Sequence, residues 1–183
     1  PQFLGEIDVI RTLTLLPGVS TVGEGANGFN VRGGNVDQNL ILIDDAPVFN
    51  SSHLFGFFSI FNGDAIKDVK LFKGGMPTQY GGRLSSGLDV RQKEGNNQKF
   101  GLTGGIGLLS TRLMAEGPIV KDKVSFMVAA RRSYQDVFFG LSTEPELKNT
   151  TLYFYDLNAK INYSINDKHK IFLSGYYGRD VFG

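Results

Sequence analysis

Residues 153–165 read Tyr153-Phe-Tyr-Asp-Leu-Asn-Ala-Lys-Ile-Asn-Tyr-Ser-Ile165. Tyr153, Tyr155, Leu157, Ala159, Ile161, Tyr163 and Ile165 fall on one face of an extended chain. Phe154, Asp156, Asn158, Lys160, Asn162 and Ser164 fall on the other. Alternation of period 2, sustained over 13 residues, predicts a strand about twice the usual length. From Tyr153 to Tyr163, at ~3.3 Å per residue, it covers roughly 33 Å. Tilted by ~40°, that projects to about 25 Å, the height of the apolar band of a membrane β-barrel. Aromatic residues at both ends, with Leu, Ala and Ile between them, match the two girdles that flank such a band. A soluble sandwich or barrel with the stripe turned inward satisfies the same pattern, so the stripe alone leaves both readings open.

Further strands follow on either side. Val124, Phe126, Val128 and Ala130 begin a second stripe, and Ile171, Leu173 and Tyr177 a third. Glu116-Gly-Pro-Ile-Val-Lys-Asp-Lys123 and Asn166-Asp-Lys-His-Lys170 are short charged turns, whereas Gly140 to Thr151 is a longer polar loop containing Pro145. Short and long connections alternate, as they do in barrels whose two rims differ.

Upstream of the polar run Gln92-Lys-Glu-Gly-Asn-Asn-Gln-Lys99 the texture changes, and a boundary is expected there between domains 1–98 and 99–183. Ile7, Ile10 and Leu13 are spaced for one face of a helix over Glu6 to Leu13, which Pro17-Gly18 closes. Phe29 to Gly34 reads as a short strand entering a Gly turn. Leu40 to Ile43 is a buried strand closed by Asp44-Asp45-Ala-Pro47. Ala65 to Phe72 predicts a helical turn running into a strand, and Leu84 to Arg91 another strand. This half is a small α+β domain with many Gly bends.

Composition removes most chemistries. The chain of 183 residues has 24 Gly and 15 Phe but no Cys and no Trp, with a formal net charge of +1. So much Gly argues against a helical bundle, and near-neutrality against a nucleic-acid surface. Arg131-Arg132 with Tyr134 is the one basic–aromatic cluster, and it reads as interfacial charge at a strand end. Without Cys there is no disulfide framework or thiolate metal site. His53 and His169 lie in different halves. Phe72-Lys-Gly-Gly75 lacks the end of a phosphate loop, and Gly104-Gly-Ile-Gly107 does not open a helix. Asp44 and Asp45 read as a turn rather than an acid pair. No nucleophile, base and orienting group can be assembled, so neither an enzyme nor a cofactor is expected. No apolar run of helical spanning length is present, and Pro1 to Gly5, with neither a basic start nor an apolar run, is not expected to be a signal peptide.

Four motifs in order carry a family resemblance. Leu16-Pro17-Gly18-Val19, Asn30-Val31-Arg32-Gly33-Gly34 and Leu42-Ile43-Asp44-Asp45-Ala46-Pro47-Val48 resemble the plug domain of TonB-dependent outer-membrane receptors. Ile66 to Gly75, with Lys73-Gly74-Gly75 at its end, followed by Tyr80-Gly81-Gly82-Arg83, resembles the later signature of the same plug. Glu116-Gly-Pro118 and Arg131-Arg-Ser-Tyr-Gln-Asp136 resemble the early barrel, particularly of Bacteroidetes-type receptors. Gly74-Gly75 stands where the family usually has Gly-Pro.

The resemblance implies an α+β plug domain followed by the first (about five) antiparallel strands of a transmembrane β-barrel of about 22 strands. Family topology puts both barrel ends in the periplasm, which implies strands near 99–107, 110–117, 124–139, 152–165 and 170–182. Five strands cannot close such a barrel, so a fragment of a longer chain is expected, ahead of a barrel assembled from several chains. The implied function is import of a scarce nutrient (ferric siderophore, cobalamin, haem or glycan) across the outer membrane of a Gram-negative bacterium, with the plug facing the periplasm. Implied partners are the energy-coupling protein TonB through a segment absent here, a small-molecule or glycan ligand, outer-membrane lipid and the rest of the barrel. Arg32 and Lys73 match plug positions whose charges meet carboxylates on the barrel wall. Asn50, Ser51, His53 and Phe55 match a ligand-facing loop, although Leu54, Phe55, Phe57, Phe58, Ile60 and Phe61 read more readily as plug core. The competing hypothesis is a non-transporting binding or structural module: a soluble ligand-binding β-barrel or an accessory membrane protein with a plug-like domain. The two differ in which face of the long strands is apolar and exposed.

Overall fold

The computed structural model describes residues 2–3, 6–21, 29–33, 39–74, 86–140 and 150–183. The Tyr80–Arg83 motif, Gly34, Gly75 and most of the Gly140–Thr151 loop lie outside the described residues. The chain divides into two compact units, one of Pro1–Phe3 with Ile7–Gln92, the other of Leu4–Glu6 with Lys93–Gly183.

Strands β1 (Gln2–Phe3) and β2 (Glu6–Ile7) precede helix α1 (Val9–Leu13) of the first unit. The helix is shorter than the Glu6–Leu13 span that spacing predicts. Asp8 takes an extended conformation and its carboxylate accepts the Arg11 N–H at 3.1 Å, so Asp8 caps the helix and Ile7 stays outside it. Strands β3 (Val19–Thr21) and β4 (Phe29–Val31) form a hairpin. Next come β5 (Asn39–Ile43), β6 (Ala46–Pro47), β7 (Ser52–His53), β8 (Phe58–Ser59), β9 (Ile66–Phe72) and β10 (Ser86–Gln92). The main sheet has the order β6-β5-β10-β9, with β5 and β10 parallel. These two central strands are almost wholly buried, which is why β5 is an unbroken apolar run rather than an alternating one.

Asp44 and Asp45 form the two-residue turn between β5 and β6, with φ of +48° and +70°. A tight hairpin needs positive φ at both central positions, and Asp tolerates it better than most residues. The two carboxylates then part. Asp44 is buried and accepts the Gln92 backbone N–H at 3.1 Å, whereas Asp45 takes a bidentate pair of hydrogen bonds from Arg91, both 2.6 Å. Those bonds hold the Arg91 pKa above its ordinary value. Asn39 bridges the strands: its amide donates to the Phe29 carbonyl and its oxygen accepts from Ser86, each at 2.6 Å.

The second unit is a five-stranded antiparallel sheet in sequence order: β11 (Gly101–Ile106), β12 (Ser110–Val120), β13 (Val124–Ser133), β14 (Leu152–Ser164) and β15 (Lys170–Phe182). The five strands match the sequence expectation in number and order. Two boundaries differ. Strand β12 runs on to Val120, carrying Pro118 past the end of its pairing with β11 and into a register shift, where a residue without an N–H is tolerated. Strand β13 stops at Ser133 instead of continuing to 139, because Ser133 pairs with Ser110, the first residue of β12, and the ladder ends there. Tyr134 instead caps the hairpin, donating its N–H to Leu109 O at 3.0 Å and its hydroxyl to the Gly107 carbonyl, and helix α2 (Gln135–Gly140) follows.

The polar segment after Gln92 is strapped onto this sheet. The Glu94 carbonyl accepts from Ser125 Oγ at 2.7 Å and from Asn162 Nδ2 at 2.5 Å. Gly95, at φ +80°, passes so close to Phe126 that any Cβ would run into that residue's backbone carbonyl. Gly95→Ala is therefore expected to destabilise the second unit by more than about 1 kcal/mol. Urea unfolding of the full-length protein in detergent reads this directly, and an unchanged midpoint would refute it.

Candidate functional site

Three of the sequence motifs meet at one place in the first unit. Turns at Gly18 (φ +78°), Arg32-Gly33 (+49° and +79°) and Gly74 (+133°) bring the chain together. The Arg32 N–H donates to Gly18 O at 3.0 Å, and Lys73 Nζ donates to Pro17 O at 2.6 Å. A Cβ at Gly74 would lie 3.6 Å from an Arg32 guanidinium nitrogen. Arg32 is exposed and Lys73 half-buried. Among the described residues neither has a salt-bridge partner, so this cluster presents two cations outward.

The segment after β6 forms a second feature. Strands β7 and β8 pair as a small hairpin, Ser52 with Ser59 and His53 with Phe58. Its tip holds Leu54 and Phe55 at φ +49° and +58°, two consecutive left-handed residues that are not Gly. That reversal sends Leu54 inward and Phe55 outward, the latter 83 % exposed. Phe58, Ile60 and Phe61 are core, as the apolar reading of this stretch expects, but Phe55 and Phe57 are not. Of the four residues expected to face a ligand, Asn50 and Phe55 are exposed, Ser51 is half-buried, and His53 is only 5 % exposed. His53 is thus placed inside, because strand alternation turns it to the core side of the hairpin. Phe49, 89 % exposed, escaped sequence reasoning, since no pattern separates it from the core Phe residues around it.

The third feature is the polarity of the sheet. On β13 and β14 the buried face carries Ser125, Met127, Ala129, Arg131, Phe154, Asp156, Asn158 and Lys160. The other face carries Val128, Leu157, Ile161 and Tyr163, all exposed, and Ile171, Leu173 and Tyr177 continue it on β15. Leu157 is 43 % exposed while its neighbour Asp156 is 2 %. A soluble sheet has the opposite polarity. The charges on the buried side are paired across strands: Arg131 NH2 lies 2.5 Å from Asp156 Oδ2, and Lys160 Nζ sits 4.5 Å from the centre of the Phe172 ring.

A family model described as the TonB-dependent receptor plug domain matches residues 4–88. Residues 4–88 are a TonB-dependent receptor plug domain. The family model thus spans all four plug motifs and ends before the last four residues of β10. No curated protein matches the chain by sequence. Among solved structures, the ferric enterobactin receptor PfeA of Pseudomonas aeruginosa, a mutant in complex with enterobactin, is similar with a TM-score of 0.64 and 14 % identity, over 96 % of this chain and 31 % of that one. The siderophore receptor PirA of the same organism is similar with a TM-score of 0.62 and 14 % identity, over 94 % and 32 %. At such identity the likeness is one of fold: a plug followed by antiparallel strands of a partial barrel. The chain spans about a third of the length of those structures.

Proposed function

We propose that the whole protein is an outer-membrane importer, which binds a scarce nutrient outside the cell and carries it to the periplasm with energy from TonB. The observation that carries this reading is the polarity of β13 and β14: Val128, Leu157, Ile161 and Tyr163 are exposed on one face, while Arg131, Asp156, Asn158 and Lys160 are buried on the other beside Met127, Ala129 and Phe154. Such a sheet suits a barrel wall between lipid and a filled lumen. A soluble binding barrel needs the reverse arrangement, with Tyr155, Leu157, Ala159 and Ile161 turned into a core. Uptake by cells expressing the full-length protein tests the reading: transport is expected with TonB and lost in its absence, and transport indifferent to TonB would refute it.

Within this reading Arg32 and Lys73 hold the plug to carboxylates on the barrel wall. Their support is the convergence of the Pro17-Gly18, Arg32-Gly33 and Lys73-Gly74 turns, which fixes two cations side by side. A hydrogen bond to a charged group contributes about 1.5–3 kcal/mol. The double substitution Arg32→Glu with Lys73→Glu is expected to loosen the plug and raise single-channel conductance of the full-length protein in planar bilayers. Conductance equal to that of the wild type would remove both residues from this role.

A further inference from the structure

The apolar face of β13, β14 and β15 carries two charged side chains, Arg132 and Arg179, and they stand at one level. Tyr155 on β14 lies directly opposite Arg132 on β13 and Arg179 on β15, so the three form one row across the sheet. Neighbouring strands are ~4.8 Å apart, which sets the two arginine backbones roughly 10 Å from one another on the same face. Arg132 is 48 % exposed and held from two sides. Its NH2 group lies 2.8 Å from Asp136 Oδ2, and the guanidinium sits 4.6 Å from the centre of the Tyr153 ring. Arg179 is exposed and has no salt-bridge partner among the described residues. Two arginines against one aspartate leave this level with net positive charge.

The next rows toward the middle of the strands contain Ala130, Ala159 and Gly175, which leave a hollow between larger neighbours. A groove of about 680 Å³ results, lined by Leu113, Ala130, Leu157 and Tyr177, with Arg132 and Tyr155 at its end. The Tyr155 and Tyr177 rings, 6.1 Å apart, stand along it. Strands added at the open edge of β15 extend the sheet sideways and cover neither face. A cation on the lipid face is tolerated only near the interface, where it meets the head groups. A guanidinium is the side chain best shaped to grip a phosphate. Two of them flanking a Tyr, above an apolar groove, fit a molecule in which phosphate and acyl chains adjoin. The row also lies at the strand ends joined by the long Gly140–Thr151 connection, which on the importer reading is the outer rim. We propose that Arg132 and Arg179 hold the phosphate of one phosphorylated glycolipid of the outer leaflet, with an acyl chain in the groove over Ala130. The inference rests on the importer reading, but concerns the membrane rather than the nutrient.

The test is native mass spectrometry of the full-length, delipidated protein in detergent, titrated with lipid A and with the same lipid A stripped of phosphate. Wild type is expected to retain one lipid A and to bind the phosphate-free lipid at least about ten-fold more weakly. The double variant Arg132→Gln with Arg179→Gln is expected to lose a similar factor for lipid A, at an unchanged melting temperature. Ala130→Phe keeps both cations but fills the groove, and it too is expected to weaken lipid A binding. Lys121→Gln with Lys168→Gln removes two exposed cations from the short turns at the opposite rim and is expected to leave binding unchanged. No retained lipid A, equal binding of the phosphate-free lipid, or equal binding by the arginine variant overturns the inference. So does an equal loss in the lysine variant, which would mean diffuse attraction to charge. Should lipid A fail to bind while uptake still requires TonB, this inference falls and the importer reading stands. Uptake without TonB would remove the importer reading itself.

Discussion

Asp156→Ala is expected to destabilise the sheet by about 3–5 kcal/mol, because it leaves a buried guanidinium without its carboxylate. Asp156 and Arg131 face one another across β13 and β14, in direct register. The Arg131 Nε and NH2 groups donate to Asp156 Oδ2 at 2.9 and 2.5 Å, with the two side chains 3 % and 0 % exposed. The guanidinium also lies 4.9 Å from the centre of the Phe154 ring, so its position is fixed from two sides. A buried pair is weak evidence of net stability, since apolar replacements of similar volume are often as stable. The double variant Arg131→Met with Asp156→Leu is accordingly expected to recover most of the loss. Urea unfolding of the full-length protein in detergent measures all three. A single variant as stable as the wild type would mean that Arg131 reaches solvent, and the inward face would not be a buried one.

Leu157→Arg is expected to cost about 2–4 kcal/mol in a bilayer, the effect of a cation on the lipid face of a barrel near its midplane. Leu157 lies midway along β14 between Tyr153 and Tyr163, on the exposed face. In water the same substitution at an exposed position costs no more than about 0.5 kcal/mol. The two environments therefore give opposite answers from one variant. Folding efficiency of the full-length protein into phospholipid vesicles is the measurement, and insertion as efficient as wild type would end the membrane reading of this face.

Much of this molecule was legible in its sequence because the deciding signals are local. Alternation along 153–165 depends only on the pleat of a strand, so it defined β14 and sorted Leu157 from Asp156 before any partner was known. Asp44-Asp45 announced a turn for the same reason, since backbone preference at positive φ belongs to the residue itself. The plug motifs were legible in order, although what they build was not. Pro17, Arg32 and Lys73 are distant in the chain, and only folding sets the Lys73 ammonium on the Pro17 carbonyl.

Other features depended on contacts that no local pattern encodes. Helix α1 begins at Val9 because Asp8 caps it, and β13 ends at Ser133 because β12 offers no further partner. His53 and Phe55 exchange the roles their polarity suggests: strand alternation turns His53 inward, and the reversal at Leu54 and Phe55 turns the Phe55 ring out. Sequence by itself determined the plug motifs and the long alternating strands that follow them, and which residues share each face of those strands. Only the tertiary structure decided which face is buried. Alternation is symmetric under exchange of inside and outside, and that symmetry is broken by packing alone: Asp156, Asn158 and Lys160 lie inside, while Leu157 and Ile161 lie out.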